Sequence, residues 1–118
     1  MPLPAEIAGH SIAPGGPMRV VAEIGLNHNG DIDLARRLVD ACADAGAWAV
    51  KLQVFDAREL LVADAPAPAH VRAASLRDFF AQFELQAEAY ATLLAQARAR
   101  GLVTIATAFD SDAVTLLQ

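Results

Sequence analysis

The chain has one cysteine, one tryptophan, one tyrosine and few basic residues in 118 positions. A lone cysteine, Cys42, excludes an intrachain disulfide, so the core must form without covalent staples. That fits a reducing compartment, and the expected location is the cytoplasm. Nine Lys and Arg stand against fourteen Asp and Glu, a net charge of −5, and the basic residues are scattered. Without a basic cluster there is no footprint for a nucleic-acid backbone. No apolar run is long enough to cross a bilayer, so no membrane partner is expected. The opening residues, MPLPAEIAGH, place Pro and Glu where a signal peptide needs basic residues and then an apolar stretch.

Hydrophobic residues make up 55% of the chain, which excludes a disordered tail and suffices for one modest core. Residues 1–17 are rich in Pro and Gly and read as an N-terminal extension with room for a short hairpin; residues 18–118 read as the folded part. Met18 to Ile24 is a short apolar run bounded by Pro17 and Gly25, the pattern of a buried strand. Asn27 to Asp31 (NHNGD) is turn chemistry, with Asp31 placed to cap a helix over 32–45 that Gly46 ends. Trp48 to Phe55 predicts a second strand, and 56–75 an irregular stretch. A short helix is expected over 76–83 and a longer one over 84–100, stopped by Gly101. Leu102 to Ala106 predicts a third strand, and 110–118 a further helix. Helix, Gly, apolar strand, then Phe-Asp occurs twice, at Phe55-Asp56 and Phe109-Asp110. Strands alternating with helices demand an α/β fold with a parallel sheet and right-handed crossovers. The pattern alone fits a doubly wound sheet or part of a (β/α)8 barrel.

Polar residues collect at the C-terminal ends of the expected strands, where parallel α/β folds build their sites. Glu23 ends the first. Lys51 and Gln53, two apart on the second, share a face. Thr107 follows the third. An ammonium there can hold a phosphate or carboxylate, while a carboxylate can orient a hydroxyl or move a proton. The competing reading is a structural Glu23–Lys51 ion pair, which would be expensive to bury. Gly25 to Gly30 (GLNHNG) has neither the dinucleotide spacing nor a Walker lysine, so Asn27 and His28 either contact a ligand or form the turn. His10, His28 and His70 share no metal-ligand spacing. Cys42, among alanines at helical spacing, reads as a small packed residue.

Three stretches, Val21 to Asp31 (VAEIGLNHNGD), Ala45 to Phe55 (AGAWAVKLQVF) and Gly101 to Asp110 (GLVTIATAFD), in this order and spacing resemble the sialic acid synthase family. Its motifs run AEIG-x-NH-x-G, AGAD-x-VKFQ and a strand ending STPFD. Trp48 stands where the family usually has Asp, Leu52 where it has Phe, and Ala106 and Ala108 where it has Ser and Pro. The resemblance implies the first three β/α units of a (β/α)8 barrel. It also implies an enzyme that condenses phosphoenolpyruvate with an N-acylated amino sugar, such as N-acetylmannosamine, and releases phosphate. In that frame Lys51 and Thr107 bind phosphoenolpyruvate, Gln53 faces the sugar, and Glu23 orients the reacting groups or transfers a proton. A divalent metal, Mn or Mg, is implied with ligands on later strands outside this chain, as are a C-terminal antifreeze-like domain and a homodimer. The sialic, legionaminic and pseudaminic acid branches share these motifs. Two other readings remain at this point: a barrel aldolase with a Schiff-base lysine, and a non-catalytic remnant or interaction module of the same fold.

Overall fold

The computed structural model describes residues 5–118. A small antiparallel hairpin comes first, β1 (Ala5–Ile7) and β2 (His10–Ile12), in the extension where the Pro/Gly pattern left room for one. Then follow β3 (Val21–Gly25), α1 (Ile32–Asp44), β4 (Ala49–Val54), α2 (Ala57–Leu60), α3 (Leu76–Ala81), α4 (Ala87–Ala99), β5 (Val103–Ala108) and α5 (Ser111–Leu117). The three later strands form one parallel sheet in the order β3-β4-β5. Sequential neighbours in sequential order are the arrangement of consecutive β/α units.

Local chemistry sets the helix boundaries. The Asp31 carboxylate accepts from the backbone N–H of Asp33 and Leu34, so α1 starts where an N-cap was expected. Asp56, Ser75 and Asp110 cap α2, α3 and α5 in the same way. Gly46 and Gly101, both at φ +78, turn the chain from helix to strand. The repeated Phe-Asp pair is thus a strand end followed by a helix cap. Asp110 also ties the two repeats together, because its Oδ2 accepts from Asp56 N at 3.1 Å.

The core lies on one face of the sheet. Val50, Leu52 and Val54 of β4 meet Ala35 and Val39 of α1, Tyr90, Leu93 and Ala97 of α4, and Ala113 of α5. Arg100, at the C-terminal cap of α4, donates to Asp40 and Asp44 of α1 at 2.6 and 2.5 Å, clasping the two helices at the surface. The helices α1, α4 and α5 cover this one face, as the outer layer of a barrel arc does. Val50 and Leu52 are 0% and 2% exposed beneath the helices. Val20 lacks cover, at 54%.

Trp48, the departure from the family's Asp, has a packing role. Arg19 stacks over its ring at 5.2 Å, and the His10 ring meets it edge-on at 5.7 Å. The hairpin is therefore pinned at the start of β4, the end of the sheet opposite the polar residues.

One turn tolerates no side chain. Gly30 has φ +74, and a Cβ there would lie 2.3 Å from the Gln82 carbonyl oxygen. Gly30→Ala is expected to destabilise the protein by about 2–3 kcal/mol. The measurement is urea unfolding, where the midpoint should fall with little change in slope.

Candidate functional site

In a strand successive side chains alternate between faces. The even-numbered residues of β4 are consumed by the helix-facing core, so the odd-numbered ones project from the opposite face. Sheet register then decides which of them meet. Glu23 lies opposite Lys51, and Gln53 lies opposite Thr107. All four expected site residues fall on one face, in two adjacent rows toward the C-terminal edge.

The first row is a charge pair. Lys51 Nζ donates to Glu23 Oε2 at 2.5 Å, with the side chains 32% and 43% exposed respectively. A pair so accessible has not paid the desolvation cost of a buried bridge and contributes little to stability. Its interest is chemical: each charge holds the other in place on an open face. A bulge between Glu23 and Gly25 bends β3 beside the pair, and Gly25, at φ +53, is buried next to the Glu23 side chain. A bulge re-aims the strand end at this edge.

The loop after β3 separates Asn27 from His28. Asn27 is exposed. His28 is 1% exposed, and its Nδ1 accepts from Gly30 N–H at 3.0 Å. Burial pulls its pKa below the ordinary value, against an opposing hydrogen bond with the Gly25 backbone. A buried neutral imidazole spanning Gly25 and Gly30 is a brace for the turn, and the turn chemistry read from NHNG is the part its contacts support. Cys42, half-buried in α1 with its thiol pKa raised by burial, lies away from the polar rows. Among the described residues no group of three or more His, Cys, Asp or Glu gathers in a metal-binding arrangement.

Beyond the two polar rows lies a third that sequence reasoning did not assign to the site. Phe55 and Phe109 continue the same face, edge to face at 6.4 Å, and Phe80 of α3 meets Phe55 at 6.0 Å. The Phe-Asp repeat was the available signal, but it was read only as a boundary marker. Tyr90 OH is buried without a partner among the described residues, its pKa raised chiefly by burial.

Comparison with known proteins places this geometry. Residues 38–118 match the NeuB family model. The spore coat polysaccharide biosynthesis protein SpsE of Bacillus subtilis is 33% identical over 118 residues, covering 96% of this chain and 31% of that protein. An N,N'-diacetyllegionaminic acid synthase of Campylobacter jejuni is 34% identical over 103 residues, covering 83% of this chain and 31% of the synthase. The crystal structure of N-acetylneuraminic acid (sialic acid) synthetase from Leptospira borgpetersenii superposes with a TM-score of 0.79 at 26% identity, over 98% of this chain and 37% of that one. The chain thus spans about a third of the length of the relatives it matches. Its three β/α units are part of a barrel.

The buried imidazole generates a pH prediction. Unfolded, His28 takes up a proton near 6.5, whereas folded it resists until a lower pH. Below the ordinary value the unfolded state binds more protons, so the contribution of His28 to stability is complete above 6.5 and falls as pH drops below it. Urea midpoints across that window should decline in the wild type, and His28→Asn should flatten the decline.

Proposed function

The chain belongs to the NeuB family, and from that premise we propose that it forms the first part of the barrel of a phosphoenolpyruvate-condensing synthase. The acceptor is the open-chain aldehyde of an N-acylated amino sugar, N-acetylmannosamine or a relative, and the product is a nonulosonic acid. The observation that carries the reading is the register that sets Glu23 against Lys51 and Gln53 against Thr107 on the face opposite α1, α4 and α5.

Phosphoenolpyruvate brings close to three negative charges, against one on Glu23. The substrate therefore competes well for Lys51, whose ammonium turns from the carboxylate to a phosphate or carboxylate oxygen. Thr107, in the adjacent row, donates to the same anion. The exchange frees Glu23 beside the reacting atoms. The enol carbon bonds to the aldehyde carbon, the aldehyde oxygen gains a proton, and water adds to the resulting cation before phosphate leaves. Glu23 accepts the proton that this water loses, or orients the groups that exchange it. Gln53 holds sugar hydroxyls through its amide. The resemblance puts the ligands of the implied divalent metal on later strands, and among the described residues no group of three or more His, Cys, Asp or Glu gathers to hold one. No step is assigned to it.

An aldolase would form a Schiff base with its lysine, which phosphoenolpyruvate condensation does not. Borohydride in the presence of substrate should therefore leave Lys51 unmodified.

In the full-length protein, Lys51→Ala should raise the KM for phosphoenolpyruvate at least tenfold, the loss of a charge-assisted contact of about 1.5–3 kcal/mol. Glu23→Gln should lower kcat far more than it changes KM. Residues 1–118 alone should release no phosphate from phosphoenolpyruvate and N-acetylmannosamine with Mn²⁺, because three of eight strands cannot close the barrel. Phosphate-release assays check all three, and unchanged kinetics in either variant would remove that residue from the mechanism.

A further inference from the structure

Resting on the synthase reading, we propose that His28 is a positioning residue, which acts through Gly25 to fix where the Glu23 carboxylate stands when Lys51 turns to the substrate. The two carboxylate oxygens of Glu23 meet different surroundings. Oε2 accepts from Lys51, while Oε1 lies over Gly25, 3.6 Å from where a Cβ on that residue would be. Gly25 is buried and has φ +53, a conformation that suits glycine. The register shift after Glu23 sets Gly25 opposite Leu52. A residue at such an irregularity is held less by the ladder than its neighbours are. Its place therefore depends on what supports it from the loop.

His28 supplies that support. Its ring is 1% exposed, its Nδ1 accepts from Gly30 N–H at 3.0 Å, and it shares a hydrogen bond with the Gly25 backbone. A neutral imidazole accepts at one nitrogen and donates at the other. With Nδ1 engaged by Gly30, the proton stands on Nε2, the nitrogen left to donate to the Gly25 carbonyl. Gly30 is itself pressed under the Gln82 carbonyl, in a segment whose Glu84 carboxylate accepts from Ala57 N–H at the start of α2. The ring thus links a loop anchored at Gly30 to the strand end that carries Glu23. The Glu23–Lys51 bridge cannot serve the same purpose during turnover, because the substrate anion takes the ammonium. The Gly25 contact does not involve Lys51 and persists. A general base gains most of its rate from being held in place before the reacting groups arrive. A ring that merely stiffened the turn would change the urea midpoint and leave the turnover of folded molecules as it was.

Two substitutions divide the ring's contacts. In His28→Asn the amide oxygen takes the place of Nδ1 and keeps the Gly30 N–H, while nothing reaches Gly25. In His28→Gln the amide nitrogen takes the place of Nε2 and keeps the Gly25 carbonyl, while Gly30 N–H loses its acceptor. The assay is phosphate release by the full-length protein from phosphoenolpyruvate with Mn²⁺ and two acceptors, N-acetylmannosamine and its analogue with a second acetamido group at C4. Circular dichroism gives the folded fraction of each variant. Turnover per folded molecule should fall about tenfold or more in His28→Asn and stay within about threefold of wild type in His28→Gln. The KM for phosphoenolpyruvate should stay within about threefold in both, whichever has the lower urea midpoint. Equal turnover per folded molecule in the two variants, a larger loss in His28→Gln, or a loss confined to the KM overturns the positioning role. If neither variant folds, the crystal structure of the full-length wild type with phosphoenolpyruvate decides. His28 Nε2 should lie within hydrogen-bond distance of the Gly25 carbonyl, with Glu23 Oε1 still over Gly25, and a ring turned away from Gly25 overturns the role. Absence of phosphate release by the wild type with both acceptors instead contradicts the synthase reading and removes the role with it.

Discussion

A strand in a parallel sheet can send side chains in only two directions, and β4 uses both to the full. Val50, Leu52 and Val54 are committed to the layer of α1, α4 and α5, each no more than 3% exposed. That commitment fixes the direction of Lys51 and Gln53, since a slip of one residue would turn the apolar set to the open face and the charged residue into the core. Pairing with β3 and β5 then brings Glu23 to Lys51 and Thr107 to Gln53. The packing of one face thus determines the chemistry of the other.

In the proposed synthase, the charge pair on that open face is a resting state. An unpaired ammonium would attract any anion, and an unpaired carboxylate beside it would repel the substrate; bridged, they neutralise each other. Partial exposure keeps the bridge weak enough to exchange. A more deeply buried pair would bind itself too well to yield to a substrate. The register shift between Glu23 and Gly25 falls beside the pair, and Gly25 is packed against the Glu23 side chain.

Much of this was legible in the residues. Gly46 and Gly101 marked both helix-to-strand turns, Asp31 marked the start of α1, and the two-residue spacing of Lys51 and Gln53 placed them on one face. Boundaries were less exact where apolarity and pairing diverge. The first strand was expected from Met18, yet it begins at Val21, because Met18 is 91% exposed and has no layer to cover it. The helix α2 hid in a stretch that looked irregular, since four residues after an Asp cap carry too little periodicity to register. The close approach of the 82–84 segment to Gly30 is a long-range contact that no local pattern encodes. The aromatic row was invisible for a similar reason. Phe55, Phe80 and Phe109 are far apart in sequence, and only the fold collects them.

The exchange of Lys51 between Glu23 and a substrate anion is the claim on which the functional account turns, and a crystal structure of the full-length protein with phosphoenolpyruvate tests it directly. The account predicts that Lys51 Nζ leaves Glu23 Oε2 and lies within hydrogen-bond distance of a phosphate or carboxylate oxygen, with the Thr107 hydroxyl on the same anion. Phosphoenolpyruvate bound elsewhere, with the 2.5 Å Glu23–Lys51 bridge still closed, would contradict it.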